Sequence, residues 1–263
     1  MMEKIAICAI FKDEAPYLLE WIAFHRMIGV DLFVLYNNGS NDGGAELVRQ
    51  SSFARNVTIL DWSDRPGQLS AYRHFHATYA NAFTWVAFID IDEFIVPVGG
   101  ASIRGILLNK AYQPYADILL NWQIFGPSGH SARPGGLVIE NFTRRLPEHA
   151  DANRHVKSLV RTKDLLRVGS TPHIFDCARP TCNARGETVM SHAMQPTVCR
   201  DIMVINHYFT KSAEEWAFKR RRGRGDSLDP YGDRVFADVE GQATVEDTSA
   251  LRFLPRLRAL LAT

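Results

Sequence analysis

Residues 85–94 read WVAFIDIDEF, and this stretch decides both the predicted fold and the position of the candidate site. Its apolar first part, rich in β-branched and aromatic side chains, is typical of a buried β-strand. Asp90 and Asp92 follow two positions apart, and residues i and i+2 of an extended chain point to the same face. Adjacent carboxylates repel unless a cation lies near them, and hard oxygen ligands suit Mg²⁺ or Mn²⁺. The stretch therefore predicts a metal and diphosphate site at the end of a central strand, with a solvated loop as the simpler alternative.

The first 98 residues alternate between strand and helix patterns. The apolar runs that predict strands cover residues 4–11, 32–36, 57–60 and 85–90. The first helix should begin after Asp13, which we expect to act as its N-cap, and end at Gly29. Short βα repeats favour parallel strands with right-handed crossovers, so that the loops after the strands share one sheet edge. The predicted fold class is α/β with a mostly parallel, doubly wound sheet.

The second half of the chain is less regular. A strand over residues 117–122 leads into a loop where Trp122 and Phe125 either stack on a sugar ring or pack in the core. Further strands are predicted over residues 155–161 and 201–207.

A dense basic segment then covers residues 211–224. Its charges would either neutralise a diphosphate or form a solvated helix face.

Composition narrows the class of protein. Hydrophobic residues make up 46% and charged residues 22% of the 263, ordinary values for a globular protein. The net charge of +1 favours neither nucleic acid nor an anionic membrane as a partner, and no nucleic acid is expected. No apolar run approaches the about 18 residues that a membrane helix needs, and the N-terminus lacks a signal-peptide pattern. A cytoplasmic location is the expectation, and the C-terminal amphipathic helix leaves peripheral contact with a membrane open.

Three cysteines near two histidines make a zinc site conceivable. They are Cys177, Cys182 and Cys199, near His173 and His192. Their spacings fit no standard zinc module, so a zinc site is the less favoured interpretation.

Four segments, in order along the chain, resemble motifs of family 92-like glycosyltransferases, which are related to family 2. The segments read FKDEAPYLLEW at residues 11–21, YNNGSND at 36–42, DIDEF at 90–94 and NHYFTKS at 206–212. The order of several motifs is far more specific than any one of them. Asp13 stands where this family usually has Asn, and Asn37 where family 2 relatives often have Asp, so the nucleotide preference stays open.

The resemblance implies a GT-A fold, the fold of nucleotide-diphospho-sugar transferases. Residues 1–223 would form the catalytic domain, with a nucleotide-binding half (1–98) and an acceptor-side half (99–223), and residues 224–263 would form a lid and a helix. The implied reaction is metal-dependent transfer of a sugar from a nucleotide-sugar to an acceptor hydroxyl, in polysaccharide or glycoconjugate synthesis. A UDP-sugar is the favoured donor and a glycan or glycoconjugate the expected acceptor.

The same resemblance assigns roles to residues. Asp90, Asp92 and His207 would hold Mn²⁺ or Mg²⁺, although a lone histidine is often structural. The residues expected at the nucleotide and its diphosphate are Ile10, Phe11, Asp13, Glu14, Asn37, Asn38, Gln68, Arg73, Asp90, Lys211 and Arg222. For Arg73, a surface ion pair is an equal alternative. Trp122 and Phe125 are expected at the acceptor.

The resemblance also implies inversion at the sugar carbon, which needs a general base near the acceptor. Asp176 is the first candidate, because it follows a strand roughly where family 2 relatives carry their base, and Glu187 and His130 are alternatives. Two other functions remain open at this stage: a nucleotidyltransferase, and an inactive protein that binds sugar nucleotides. The segment after the first strand has no glycine, which counts against the phosphate loop of a nucleotidyltransferase.

Overall fold

A mixed ten-stranded β-sheet runs through the protein, whose computed structural model describes residues 3–262. The strands are β1 (Ile5–Phe11), β2 (Leu32–Asn37), β3 (Val57–Asp61), β4 (Trp85–Phe88), β5 (Glu93–Pro97), β6 (Asp117–Ile124), β7 (Arg144–Arg145), β8 (Val156–Arg161), β9 (Leu165–Val168), β10 (Phe175–Cys177), β11 (Thr181–Asn183), β12 (Thr188–Val189), β13 (Met203–His207) and β14 (Val245–Glu246). The α-helices are α1 (Ala15–Met27), α2 (Gly44–Gln50), α3 (Gln68–Tyr79), α4 (Ile103–Leu107), α5 (Val138–Asn141), α6 (Ala213–Arg222), α7 (Val235–Gln242) and α8 (Leu254–Leu261).

The order of the paired strands confirms the predicted α/β fold. It reads β12-β11-β6-β8-β4-β1-β2-β3, and β13 pairs with both β5 and β6. Strand β1 is parallel to β2 and β4, and β2 is parallel to β3. Strand β8 runs antiparallel between β4 and β6, and β13 is parallel to β6. Consequently the start of β8 lies at the sheet edge where β1, β2, β4, β6 and β13 end.

Side chains of β1 alternate between two apolar clusters, as the period of a strand requires. Ile7 and Ala9 pack in the cluster that contains Trp21 and Phe24 of α1. Cys8, on the other face, packs in the cluster that contains Tyr72 and Phe75 of α3. Both faces of this strand are therefore covered by helices, which explains its continuous apolar sequence.

The fourth strand is shorter than predicted. Strand β4 ends at Phe88 and β5 begins at Glu93, and a tight turn between them closes with the Glu93 amide donating to the Asp90 carbonyl at 3.1 Å. The extended-chain argument that placed Asp90 and Asp92 on one face is therefore wrong, because the chain is not extended there.

The first helix does not begin as predicted. Its N-cap residue is Glu14 and not Asp13, and Asp13 adopts a positive φ of 49°. The Ala15 amide donates instead to Asp42 Oδ2 at 2.7 Å. Asp42 thus satisfies a free N–H of the first helical turn from the next loop.

Among residues 3–262, no helix is both long and apolar enough to span a bilayer.

Candidate active site

A cavity of about 480 Å³ opens at the sheet edge where β1, β4, β6 and β13 end and β8 begins. Its floor is the turn that contains Asp90 and Asp92, and α6 and the segment from Gly223 to Tyr231 cover one side. This is the edge at which an open α/β sheet binds its ligands.

Asp90 is held by two partners from different elements. Gln68 Nε2 donates to its Oδ1 at 2.6 Å, and the Lys157 ammonium donates to its Oδ2 at 2.8 Å. Lys157 is 1% exposed and lies 3.5 Å from Glu93 Oε2. Burial disfavours its ammonium form, but Asp90 and Glu93 raise the pKa of Lys157 well above its usual value. Gln68 therefore orients a carboxylate, and because it also lines the cavity, its contact with the nucleotide stays a prediction.

Asp92 pairs with different groups. Lys219 Nζ donates to its Oδ2 at 2.6 Å, and His207 Nε2 lies 3.5 Å from its Oδ1. Burial by itself would raise the pKa of Asp92, but Lys219 and His207 hold it well below the usual range. Asp92 is consequently an anion in the folded protein.

His207 faces two carboxyl groups. Its Nδ1 lies 3.8 Å from Glu93 Oε1, and both atoms are buried without a hydrogen-bond partner in the described chain. Burial lowers the pKa of His207, which keeps the imidazole neutral, the form that binds metals. Burial also raises the pKa of Glu93 to about 8, against the effect of Lys157.

The donor set of Asp92 and His207 fits a divalent cation. Their facing atoms are 3.5 Å apart, a distance that two ligands can span when each lies about 2.1 Å from one ion. Among the described residues, no three His, Cys, Asp or Glu side chains form a fuller ligand group. An ion held here would need further oxygens, and Mg²⁺ typically takes them from substrate phosphates and water.

Helix α1 holds the start of β5. Trp21 Nε1 donates to the Glu93 carbonyl at 2.8 Å, and His25 Nε2 accepts from the Ile95 amide at 3.1 Å. Burial lowers the pKa of His25 to about 3, so it remains a neutral acceptor. The first helix thus fixes the strand that follows the acidic turn.

Only some residues of the loops predicted to bind the nucleotide line the cavity. Ile10, Phe11, Glu14 and Asn38 line the cavity. The Asn38 amide group donates to the carbonyls of Trp62 and Asp64, at 2.8 and 3.0 Å.

Two residues predicted at the nucleotide connect loops instead and do not line the cavity. Asp13 Oδ1 accepts from the Asn41 amide at 2.8 Å, and Asn37 Nδ2 donates to Asp61 Oδ1 at 3.1 Å.

Three cations were predicted near the diphosphate, and only Arg222 lines the cavity. It donates to the Lys12 carbonyl at 2.7 Å and forms an ion pair with Glu14. Arg73 is exposed on α3, outside the cavity. Lys211 is 5% exposed, and its ammonium lies 4.2 Å from the centre of the Tyr17 ring. Neither Arg73 nor Lys211 therefore lines the cavity.

The three ion pairs Asp90–Lys157, Asp92–Lys219 and Glu14–Arg222 are called the charged wall below. Each of its carboxylates has its own cation, so these pairs carry no net charge. Burial makes the pairs stronger than they would be in water.

The side chains around Trp122 are uncharged, in contrast to the charged wall. Trp122 lines the cavity together with His155 and His173. The His155 ring stacks on the indole at 4.9 Å, and the His173 ring lies edge-on at 5.4 Å. Burial lowers the pKa of both imidazoles, that of His173 to about 4. These three residues are called the neutral wall. Because His155 covers one indole face, Trp122 has less surface for a sugar than predicted, and Phe125 is fully buried against Tyr208.

None of the three candidate bases lines the cavity. Asp176 lies on β10 and accepts from Arg167 at 2.8 Å, in an ion pair whose side chains are 44% and 78% exposed. Glu187 accepts from Asn183, and His130 Nε2 lies 3.2 Å from the Asn141 carbonyl. The structure does not bring these groups to the site.

Sequence reasoning missed the roles of Lys157 and Lys219 at the two aspartates. The sequence pattern of a helix could have indicated Lys219. Ser212 and Glu215 form a capping box, and Lys219 and Arg222 follow at helical spacing on the same face. Lys157 gave no comparable signal, since a lysine in a strand is usually exposed.

Comparison with known sequences agrees with the motifs. The family model described as "Glycosyltransferase family 92" matches residues 3–223. A glycosyltransferase family 92 protein of Oryza sativa subsp. japonica is 33% identical over 207 residues, covering 78% of this chain and 33% of its own length. One from Ricinus communis is 32% identical over 170 residues, covering 60% and 28%. The chain thus spans about a third of the length of the curated relatives it matches.

Two solved structures are similar at a low level. Crystal structures of S. aureus TarS (residues 1–349) and of glucosyl-3-phosphoglycerate synthase from Mycobacterium tuberculosis are 14% and 15% identical, with TM-scores of 0.38 and 0.35. They cover 60% and 62% of this chain, and 47% and 58% of their own chains. At these TM-scores the likeness adds little to the family match, which covers most of the chain and all four motifs. The chain belongs to glycosyltransferase family 92.

Proposed function

We propose that the cavity binds a nucleotide-sugar together with Mn²⁺ or Mg²⁺ and transfers the sugar, with inversion, to an acceptor hydroxyl. The observation that carries the proposal is the pairing of Asp92 with the neutral imidazole of His207 on the cavity floor. The family match supports a sugar transferase, and a UDP-sugar is the donor that we expect. Roles in polysaccharide or glycoconjugate synthesis and a cytoplasmic location remain predictions from the sequence.

The charged wall would receive the diphosphate. Arg222 and Lys219 both line the cavity, and each remains beside its carboxylate partner. Preorganised cations that face the leaving group stabilise the charge that grows on it, without having to reorganise during the reaction.

Asp92 and His207 would hold the metal ion, which supplies a Lewis acid for the phosphate oxygens when it is bound. Its two positive charges would give the otherwise neutral floor an excess of positive charge, as a nucleoside diphosphate requires. Asp90, fixed by Gln68 and Lys157, is available to accept from a ribose hydroxyl.

A titration panel tests this proposal. UDP, GDP, CDP, ADP and dTDP are titrated calorimetrically into the protein with Mn²⁺ and with EDTA. We expect one nucleotide to bind in the micromolar range with Mn²⁺ and at least about tenfold more weakly without it. Binding of none of the five would contradict the proposed function. Selective binding of a nucleoside triphosphate with release of pyrophosphate would favour a nucleotidyltransferase.

A further inference from the structure

Inversion requires a group that accepts the acceptor's proton, and the cavity-lining carboxylates are poorly suited to it. The four in the described chain are Glu14, Asp90, Asp92 and Asp226. Each is paired with a cation: Arg222, Lys157, Lys219 and Arg224, respectively. An adjacent positive charge stabilises the carboxylate and so makes it a weaker base.

The neutral wall offers a proton acceptor that forms no ion pair, and burial and the nearby Lys157 ammonium lower its pKa. His173 Nδ1 lies 2.7 Å from the Val156 carbonyl, and a carbonyl only accepts, so Nδ1 must carry the proton. The neutral ring therefore has its lone pair on Nε2. No hydrogen bond reaches that atom from any described residue, and His173 lines the cavity. A backbone carbonyl that fixes the tautomer is a recurrent way of orienting a catalytic histidine.

His173 shares a neighbour with the metal-binding pair. Its ring and that of His207 contact the same indole, Trp122, at 5.4 and 4.5 Å. Lys157 and Asp90 are its charged neighbours, and His155 is its other titratable neighbour. Among the described residues, Arg154 is the only charged group that shifts the pKa of His155. The ring of His155 stacks on Trp122. Asp90 of the acidic turn is thus a charged neighbour of His173, whereas Arg154 is that of His155.

The geometry points to His173 as the catalytic base that activates the acceptor hydroxyl, an inference that rests on the proposed transfer with inversion. The hydroxyl oxygen forms a bond to the sugar carbon while the bond from that carbon to the diphosphate oxygen breaks. The electron pair leaves with the diphosphate, and the hydroxyl proton moves to Nε2 of His173. The resulting imidazolium returns its proton to solvent before the next turnover.

The test compares His173→Asn with His155→Asn. Asparagine at position 173 keeps a donor near the Val156 carbonyl but has no basic nitrogen. Calorimetry with UDP and Mn²⁺ verifies that each variant retains a folded site. The rate is the release of UDP from UDP-glucose, UDP-galactose or UDP-N-acetylglucosamine, with water as the acceptor.

We expect His173→Asn to bind UDP within about twofold of the wild type and to release it at least about 100-fold more slowly. His155→Asn should slow release by less than about tenfold. Equal rates for His173→Asn and wild type, or equal losses in the two variants, would overturn the assignment. His173→Gln serves as a second variant if the first fails to fold. A wild type that binds no UDP and releases none would contradict the proposed function itself.

Nitrogen-15 NMR of the imidazoles gives a readout that does not depend on turnover. The assignment requires His173 to be neutral at pH 7 with its proton on Nδ1. A proton on Nε2 would overturn the inference whichever donor the protein uses.

Discussion

The charged and neutral walls of the cavity solve different physical problems. On the charged wall each buried carboxylate is matched by a cation within hydrogen-bonding distance, as for Asp90 with Lys157 and Asp92 with Lys219, both below 3 Å. On the neutral wall Trp122, His155 and His173 carry no charge, because burial lowers the pKa of both imidazoles. On the proposed function, the diphosphate would lie with the metal ion against the charged wall, and the acceptor hydroxyl against the neutral wall.

The largest effect should follow from breaking the charged wall at its most buried cation. Lys157→Met would leave the Asp90 carboxylate without its counter-charge, and we expect a loss of about 3 kcal/mol in the free energy of unfolding. Urea denaturation measures it. The matched control is Lys163→Met, an exposed lysine, which should change stability by less than about 0.5 kcal/mol.

A double variant sharpens this prediction. Lys157→Met with Asp90→Asn should recover part of the lost stability, since it removes the unpaired carboxylate. If the double variant is less stable than Lys157→Met alone, the ion pair is not what the lysine contributes.

A smaller effect is expected where the two walls meet. His207 contacts Trp122 at 4.5 Å on one side and faces Asp92 on the other. His207→Ala should weaken binding of Mn²⁺ with UDP about 100-fold, because it would remove one of the two proposed protein ligands. His76→Ala, on the last turn of α3, is the control and should leave the affinity unchanged. Equal losses in both variants would return His207 to a structural role.

The smallest effect concerns the segment that covers the charged wall. The Gly225 carbonyl accepts from the amides of Gly67 and Gln68, each at 3.0 Å, at the start of α3. We predict that amides of residues 222–238 exchange about tenfold more slowly when Mn²⁺ and UDP are bound, because the ligand stabilises the closed segment. Amides of α8 should not change. Equal exchange rates in saturated and free protein would show that the segment does not act as a lid.

The sequence predicted the charged wall better than the neutral one, for a physical reason. Parallel strands such as β1 and β4 carry their functional residues just after the strand, so Asp90 and Asp92 could be recognised from an apolar run and the polar residues that follow it. Strand β8 is antiparallel, so His155, which comes just before its first residue, reaches the same edge from the beginning of the strand. Strand direction is not encoded in the pattern of one strand, so the sequence could not show that the beginning of β8 lies at this site.

Local turns set a second limit. The pattern of Asp90, Ile91 and Asp92 is that of an extended chain, but β4 ends at Phe88 and a turn sends the two aspartates to different lysines. Both lysines are distant in sequence from their partners. Ion pairs of this kind depend on tertiary packing, which single-residue propensities do not contain.

Calorimetry of UDP with the wild type and Asp92→Asn, in Mn²⁺ and in EDTA, tests the central claim most directly. The Asn side chain keeps the shape of Asp92 and removes its charge, and Asp176→Asn is the same change outside the cavity. The account predicts that Mn²⁺ tightens UDP binding at least about tenfold in wild type and Asp176→Asn, and that this gain disappears in Asp92→Asn. An equal gain in Asp92→Asn, or no gain in wild type, would contradict it.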